Sequence, residues 1–131
     1  MNAGENNRLI AIVDDDESAR CAVYGVLKSA GYEPRSFASA GEFLCSAERR
    51  TTACLISDVR MPQMSGLELQ ARLAEEGCRI PIIFITAYGD SRLRSQAMRA
   101  GAAVILGKPF NDKVLLDSVR AVLNVAPDGS S

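Results

Sequence analysis

Apolar residues fall into two alternating kinds of run along this chain. Leu9 to Val13, Ala53 to Ile56, Ile82 to Ile85 and Val104 to Leu106 are short and apolar throughout, the pattern of buried strands. Arg35 to Phe37 reads as a weaker, flanking strand. Between these runs apolar side chains recur at helical spacing: Val23, Val26, Leu27 and Ala30, then Leu67, Ala71 and Ala74, then Leu115, Val119, Val122 and Leu123. Gly31, Gly77 and Gly101 each follow a helical stretch, where a left-handed C-terminal cap favours glycine. Ser39 with Glu42 predicts a capping box, and Asn111 a cap for the last helix, with Phe110 and Leu115 at the two positions of a hydrophobic staple. Strand and helix alternate five times. The expected fold is therefore α/β and doubly wound, a five-stranded parallel sheet with right-handed crossovers and helices on both faces.

Sheets of this kind gather ligands at the carboxyl ends of their strands. At those ends stand Asp14-Asp15-Asp16-Glu17 after the first strand, Asp58 after the third, Thr86 after the fourth and Lys108-Pro109 after the fifth. Each has a plain explanation alone: acids at a helix start, a capping threonine, a surface lysine. Four at one edge, combining carboxylate, hydroxyl and amine, point instead to a site. Converging carboxylates repel, and a hard divalent cation relieves them; an all-oxygen ligand set suits Mg²⁺. The Thr86 hydroxyl and the Lys108 ammonium suit phosphoryl oxygens, which leaves Asp58 as a nucleophile able to form an acyl phosphate.

Composition narrows the setting. A chain of 131 residues suits one domain, and 47% hydrophobic with 24% charged residues is ordinary for a folded one. The net charge of -1, from 15 basic and 16 acidic side chains, lacks the footprint of a nucleic-acid binder. Histidine is absent, which removes the usual general base and places any phosphohistidine donor on another protein. Cys21, Cys45, Cys54 and Cys78 form no CxxC pair and read as small core hydrophobes, as fits a reducing cytoplasm. Residues 1–8 lack the apolar stretch of a signal peptide, and no apolar run approaches the roughly 20 residues of a membrane span, so neither export nor membrane contact is expected. The last residues, Ala126 to Ser131, have linker composition.

The phrases IVDDDESAR, ISDVRMPQMSGLEL, IPIIFITAYGD and GKPF, with the spacings between them, resemble the receiver domain of two-component response regulators over residues 8–124, with residues 1–7 and 125–131 as flexible termini. The wording is most similar to that of FixJ-like transcriptional regulators, in which a helix-turn-helix domain follows the receiver; these 131 residues hold no such domain. The resemblance implies a flavodoxin-like strand order 2-1-3-4-5. It implies Asp58 as phosphoacceptor, Mg²⁺ held by Asp14, Asp15, Asp58 and the backbone carbonyl of Arg60, and Thr86 and Lys108 on the phosphoryl group, with Asp16 left as a helix cap. A cis Lys108-Pro109 bond is implied as well. The partners it implies are a sensor histidine kinase and a second copy, through a surface of the fourth helix, fifth strand and fifth helix, about residues 90–124. The domain would be a signalling switch and not an enzyme in its own right.

One position departs from the family. Ile105 stands where receivers carry Tyr or Phe, the ring that moves with the hydroxyl residue during switching. Either the switch runs through Thr86 and loop movement without a ring, or Ile105 is simply an apolar strand residue. Arg60 and Tyr88, two residues beyond Asp58 and Thr86, are expected to screen the acyl phosphate from water. Two other functions stand beside this one: a stand-alone receiver working by protein–protein contact, and a small phosphatase suggested by Asp14-x-Asp16. The second leaves Asp58 unexplained, and Ser18 is not the Thr or Val that motif prefers. Nucleotide-binding loops fail on spacing, since five residues separate Gly101 from Gly107 and Pro109 follows Lys108.

Overall fold

In the computed structural model the residues described are 9–87, 91–99, 101–108 and 110–124, without the side chains of residues 87 and 93. The elements run β1 (Leu9–Val13), α1 (Glu17–Ser29), β2 (Glu33–Phe37), α2 (Ala40–Leu44), a short 3₁₀ turn (Ala47–Arg50), β3 (Thr52–Asp58), α3 (Gly66–Glu75), β4 (Ile82–Ala87), α4 (Ser91–Arg99), β5 (Val104–Lys108) and α5 (Asp112–Asn124). All strand pairs are parallel, in the order β2-β1-β3-β4-β5. The order reverses between β1 and β3, so the loops following those two strands open away from each other and leave a crevice. The five expected strands are all present, and β3 and β5 run on to Asp58 and Lys108 themselves.

Alternation along each strand divides the interior in two. Ile10 and Ile12 of β1, with Cys54 and Ile56 of β3, face α1 and α5 and meet Val23, Leu27, Leu115, Val119 and Val122. Ala11 and Val13, with Leu55 and Phe84, face the other way and meet Phe43, Leu69, Leu73 and Ala97. Burying each large side chain contributes about 1.5–3 kcal/mol, and both faces are covered, which is why the strands are apolar throughout.

Three local expectations are corrected. In α3 the buried stripe is Leu69, Gln70 and Leu73, while Ala71 and Ala74 face solvent: two leucines bury more apolar surface than two alanines. Of the cysteines only Cys54 is buried; Cys21 and Cys45 are exposed and Cys78 is half-buried, all four as free thiols. At Ser39 the hydroxyl does accept the Glu42 N–H, but the Glu42 carboxylate takes the N–H of Ala38 and not that of Ser39. The reciprocal box is at Ser65 and Glu68, opening α3. Asn111 caps α5 as expected, accepting the Val114 N–H at 2.8 Å, and Gly31, Gly77 and Gly101 all have positive φ. The flexible termini expected at residues 1–7 and 125–131 lie outside the described residues.

Candidate functional site

β1 ends in the crevice, and Asp14 is the first residue past it. Its N–H donates to the Phe37 carbonyl at 3.2 Å, and its carboxylate Oδ1 accepts the N–H of Asp16 at 2.9 Å. The Asp14 carbonyl, beyond the last ladder pair, accepts from Arg20 Nη1 of α1 at 2.8 Å. Asp16 turns away and caps α1, accepting the Ser18 N–H at 3.0 Å. The sequence therefore runs from sheet to helix in three residues, leaving Asp14 buried and Asp15 exposed.

β3 delivers Asp58. Its Oδ1 accepts the Arg60 N–H at 3.2 Å, and its Oδ2 lies 3.3 Å from Lys108 Nζ. The chain then doubles back: Val59 donates to Ile85 O, and Gly66 donates to Val59 O at 2.8 Å. A Cβ at Gly66 would stand 2.5 Å from the Asp58 carbonyl and 2.8 Å from the Phe84 ring, so this approach requires glycine. Asp14, Asp15 and Asp58 each bring one carboxylate oxygen within 4.8 Å of the others. Lys108 Nζ sits over this cluster, 3.8 Å from Asp14 Oδ2.

Charge and burial act against each other here. Burial raises the Asp14 pKa above the ordinary 3.8, and Asp58 and Asp15 push it further, outweighing the Asp16 N–H and Lys108. For Lys108 burial pulls the pKa down, but Asp58 and Asp14 overcome it and hold the ammonium above its ordinary 10.5. Thr86, the fourth corner, pairs with Gly107 in the sheet; its Oγ1 is buried and has no hydrogen-bond partner among the described residues. A hydroxyl left so is costly unless something brings it an acceptor. The donor set, three carboxylates and a buried hydroxyl beside one ammonium, fits a hard divalent cation together with a phosphoryl group.

Asp14, Asp15, Asp58 and Lys108 thus meet in one crevice, Thr86 stands at the end of the neighbouring β4, and Asp16 turns away to cap α1. Ile105 lies apart from the crevice, half-buried on β5 beside Phe84 and packed against the cluster under α4. Arg60 is exposed. The positions of Tyr88 and of the Lys108-Pro109 turn lie outside the described residues. Arg20, Ser57 and Gly66 also border the site, although none is marked by the strand-end pattern. Ser57 is wholly buried and its hydroxyl donates to the Asp58 carbonyl at 2.9 Å; its only signal was a hydroxyl inside an apolar strand. For Gly66 the Ser-x-x-Glu box that begins one residue earlier was available.

The profile of the family described as "Response regulator receiver domain" matches residues 10–120. TodT, a response regulator protein of Pseudomonas putida, is 43% identical over 123 residues, covering 94% of this chain and 54% of TodT. The transcriptional regulatory protein FixJ of Azorhizobium caulinodans is 38% identical over 114 residues, covering 87% of this chain and 54% of FixJ. A solved structure, described as the crystal structure of FixJ-N, superposes with a TM-score of 0.82 at 34% identity, covering 90% of this chain and 94% of that one. The chain belongs to the response regulator receiver family. It is a signalling domain of two-component systems, and it spans about half the length of the curated relatives it matches. No described helix is long and apolar enough to cross a membrane.

Proposed function

We propose that this receiver, residues 8–124, takes a phosphoryl group onto Asp58 from a phosphohistidine on a partner sensor kinase. The Asp58 carboxylate oxygen attacks phosphorus, the P–N bond to the donor imidazole breaks, and its electron pair stays on the imidazole nitrogen. The observation that carries this is the position of Asp58 Oδ2, 3.3 Å from Lys108 Nζ and within the same crevice as Asp14 and Asp15. Lys108 then offsets phosphoryl charge, and the buried Thr86 hydroxyl gains the acceptor that the described residues do not provide. Asp14, Asp15, Asp58 and the Arg60 carbonyl would hold Mg²⁺, which when bound neutralises charge on the transferring phosphoryl group. Arg60, together with Tyr88, screens the acyl phosphate from water and lengthens its lifetime.

Downstream, phosphorylation biases the surface of α4, β5 and α5 toward a second copy or an output domain, and we assign the output to transcription because FixJ is a transcriptional regulatory protein. With Ile105 in place of a ring, the Thr86 movement is passed on through packing under α4, where Ile105 already lies. The test is intact-mass analysis after incubation with Mg²⁺ and acetyl phosphate, alongside size-exclusion chromatography. One phosphoryl adduct in the wild type, absent in Asp58→Asn, is expected; an adduct that persists in Asp58→Asn rejects the assignment.

A further inference from the structure

The crevice leaves one charged side chain with no part in the chemistry above, although it touches the backbone that carries two of the three carboxylates. Arg20 reaches from the first turn of α1 and donates from Nη1 to the Asp14 carbonyl at 2.8 Å. That carbonyl has no partner in the sheet, because the ladders of β1 with β2 and with β3 both end at Val13. It also belongs to the peptide plane joining Asp14 to Asp15. A peptide unit is rigid, so fixing its oxygen fixes the plane, and with it ψ of Asp14 and φ of Asp15, the torsions that set how the two carboxylates face each other.

We infer that Arg20 is a positioning residue for cation binding: through the Asp14 carbonyl it holds the Asp14 and Asp15 carboxylates in the relative orientation that a divalent ion requires. Its action is through the main chain. The cation acting on the Asp14 carboxyl is Lys108, at 3.8 Å, whereas Arg20 contacts the carbonyl on the backbone side. The remaining contacts of Asp14 hold other atoms: Phe37 O fixes its N–H, and the Asp16 N–H fixes Oδ1. Arg20 alone among the described residues is seen to hold the peptide oxygen. Its half-buried stem and the Arg20 N–H to Asp16 O bond at 3.0 Å keep the side chain on the near side of the turn. An ion as small as Mg²⁺ demands near-ideal octahedral geometry, so a rotation of this one plane is felt at both ligands. Groups that orient ligands without touching the metal typically change affinity by about 10- to 100-fold when removed.

The inference rests on the divalent-cation reading of the crevice, and the experiment separates the two. Mg²⁺ affinity is measured by isothermal titration calorimetry for the wild type, Asp58→Asn, Arg20→Ala and Arg20→Lys, with melting temperatures in EDTA as the measure of fold. The expected result is a wild-type site weakened in Asp58→Asn, weakened about tenfold in Arg20→Ala, and partly restored in Arg20→Lys, which keeps a donor of shorter reach. A merely structural arginine would lower the melting temperature and leave the affinity of the folded protein alone. Affinity in Arg20→Ala within twofold of wild type therefore overturns the inference while sparing the cation site. Absence of wild-type Mg²⁺ binding, or binding indifferent to Asp58→Asn, overturns the cation site and the inference with it. Should Arg20→Ala not fold, Arg20→Gln, too short to span to the carbonyl, is read against the same two outcomes.

Discussion

Lys108 and Asp58, fifty residues apart in sequence, face each other at 3.3 Å between Nζ and Oδ2, and the same ammonium stands 3.8 Å from Asp14. Lys108 therefore occupies the neighbourhood a divalent ion would enter. Its removal takes away a like charge from the incoming cation, so Lys108→Ala is expected to bind Mg²⁺ a few-fold more tightly, in proportion to the modest worth of a partly exposed pair. Calorimetric titration at low and high salt checks this; unchanged or weaker affinity rejects it.

Asp14 supplies a pH-dependent stability term in metal-free protein. Its folded pKa is raised above the ordinary 3.8, chiefly by burial, so the fold favours the protonated form. The associated stability is fully present below pH 3.8 and is lost as pH rises through the raised value. At pH 7 in EDTA, Asp14→Asn is expected to gain on the order of 1 kcal/mol in urea unfolding while losing Mg²⁺ affinity. The gain should shrink on acidification, and a variant no more stable than wild type at pH 7 contradicts the assignment.

Gly66 packs where a methyl group would press on the Asp58 carbonyl at 2.5 Å and on the Phe84 ring at 2.8 Å. Neither neighbour is the free end of a flexible side chain. Gly66→Ala should cost about 1–3 kcal/mol in chemical denaturation and slow labelling of Asp58 by acetyl phosphate. Wild-type stability with wild-type labelling would show that the loop yields.

Gln63 has φ of 72°, and Met64 N–H donates to Pro62 O at 2.7 Å across it, a three-residue turn in the left-handed half of backbone space. Glycine adopts that conformation without a Cβ clash. Gln63→Gly is expected to relieve about 1 kcal/mol of strain, offset in part by the unfolded chain's entropy, and so to leave the melting temperature unchanged or raised. A clear fall in melting temperature would show that the glutamine side chain contributes more than its backbone strain removes.

Burial pushes the Cys54 thiol up to about 12, whereas Cys21 and Cys45 are exposed. With a thiol-specific reagent at pH 8, Cys21 and Cys45 should react promptly in native protein, and Cys54 only once the protein unfolds. Peptide mapping distinguishes them, and prompt labelling of Cys54 would contradict its burial in the core on β3.

Sequence by itself determined the class of fold and the sheet edge at which the candidate site lies. Four short apolar runs, each too short for a helix and each with a residue that carries charge or a hydroxyl one or two positions past its end, give the pattern of parallel strands buried on both faces. Asp14, Asp15, Asp58, Thr86 and Lys108 were legible since each stands at the end of its run, and topology sends all those ends to one edge. Tertiary structure decided the rest. Whether Ala71 or Leu69 lies inward in α3, and whether Cys45 or Cys54 is buried, depends on which neighbour fills the space, and periodicity in a short helix permits either stripe. Gly66 beside Asp58 and Arg20 beside the Asp14 carbonyl depend on distances of a few ångströms between main chain and side chain. No spacing along a sequence encodes such distances, because they arise only when strand, turn and helix are packed together.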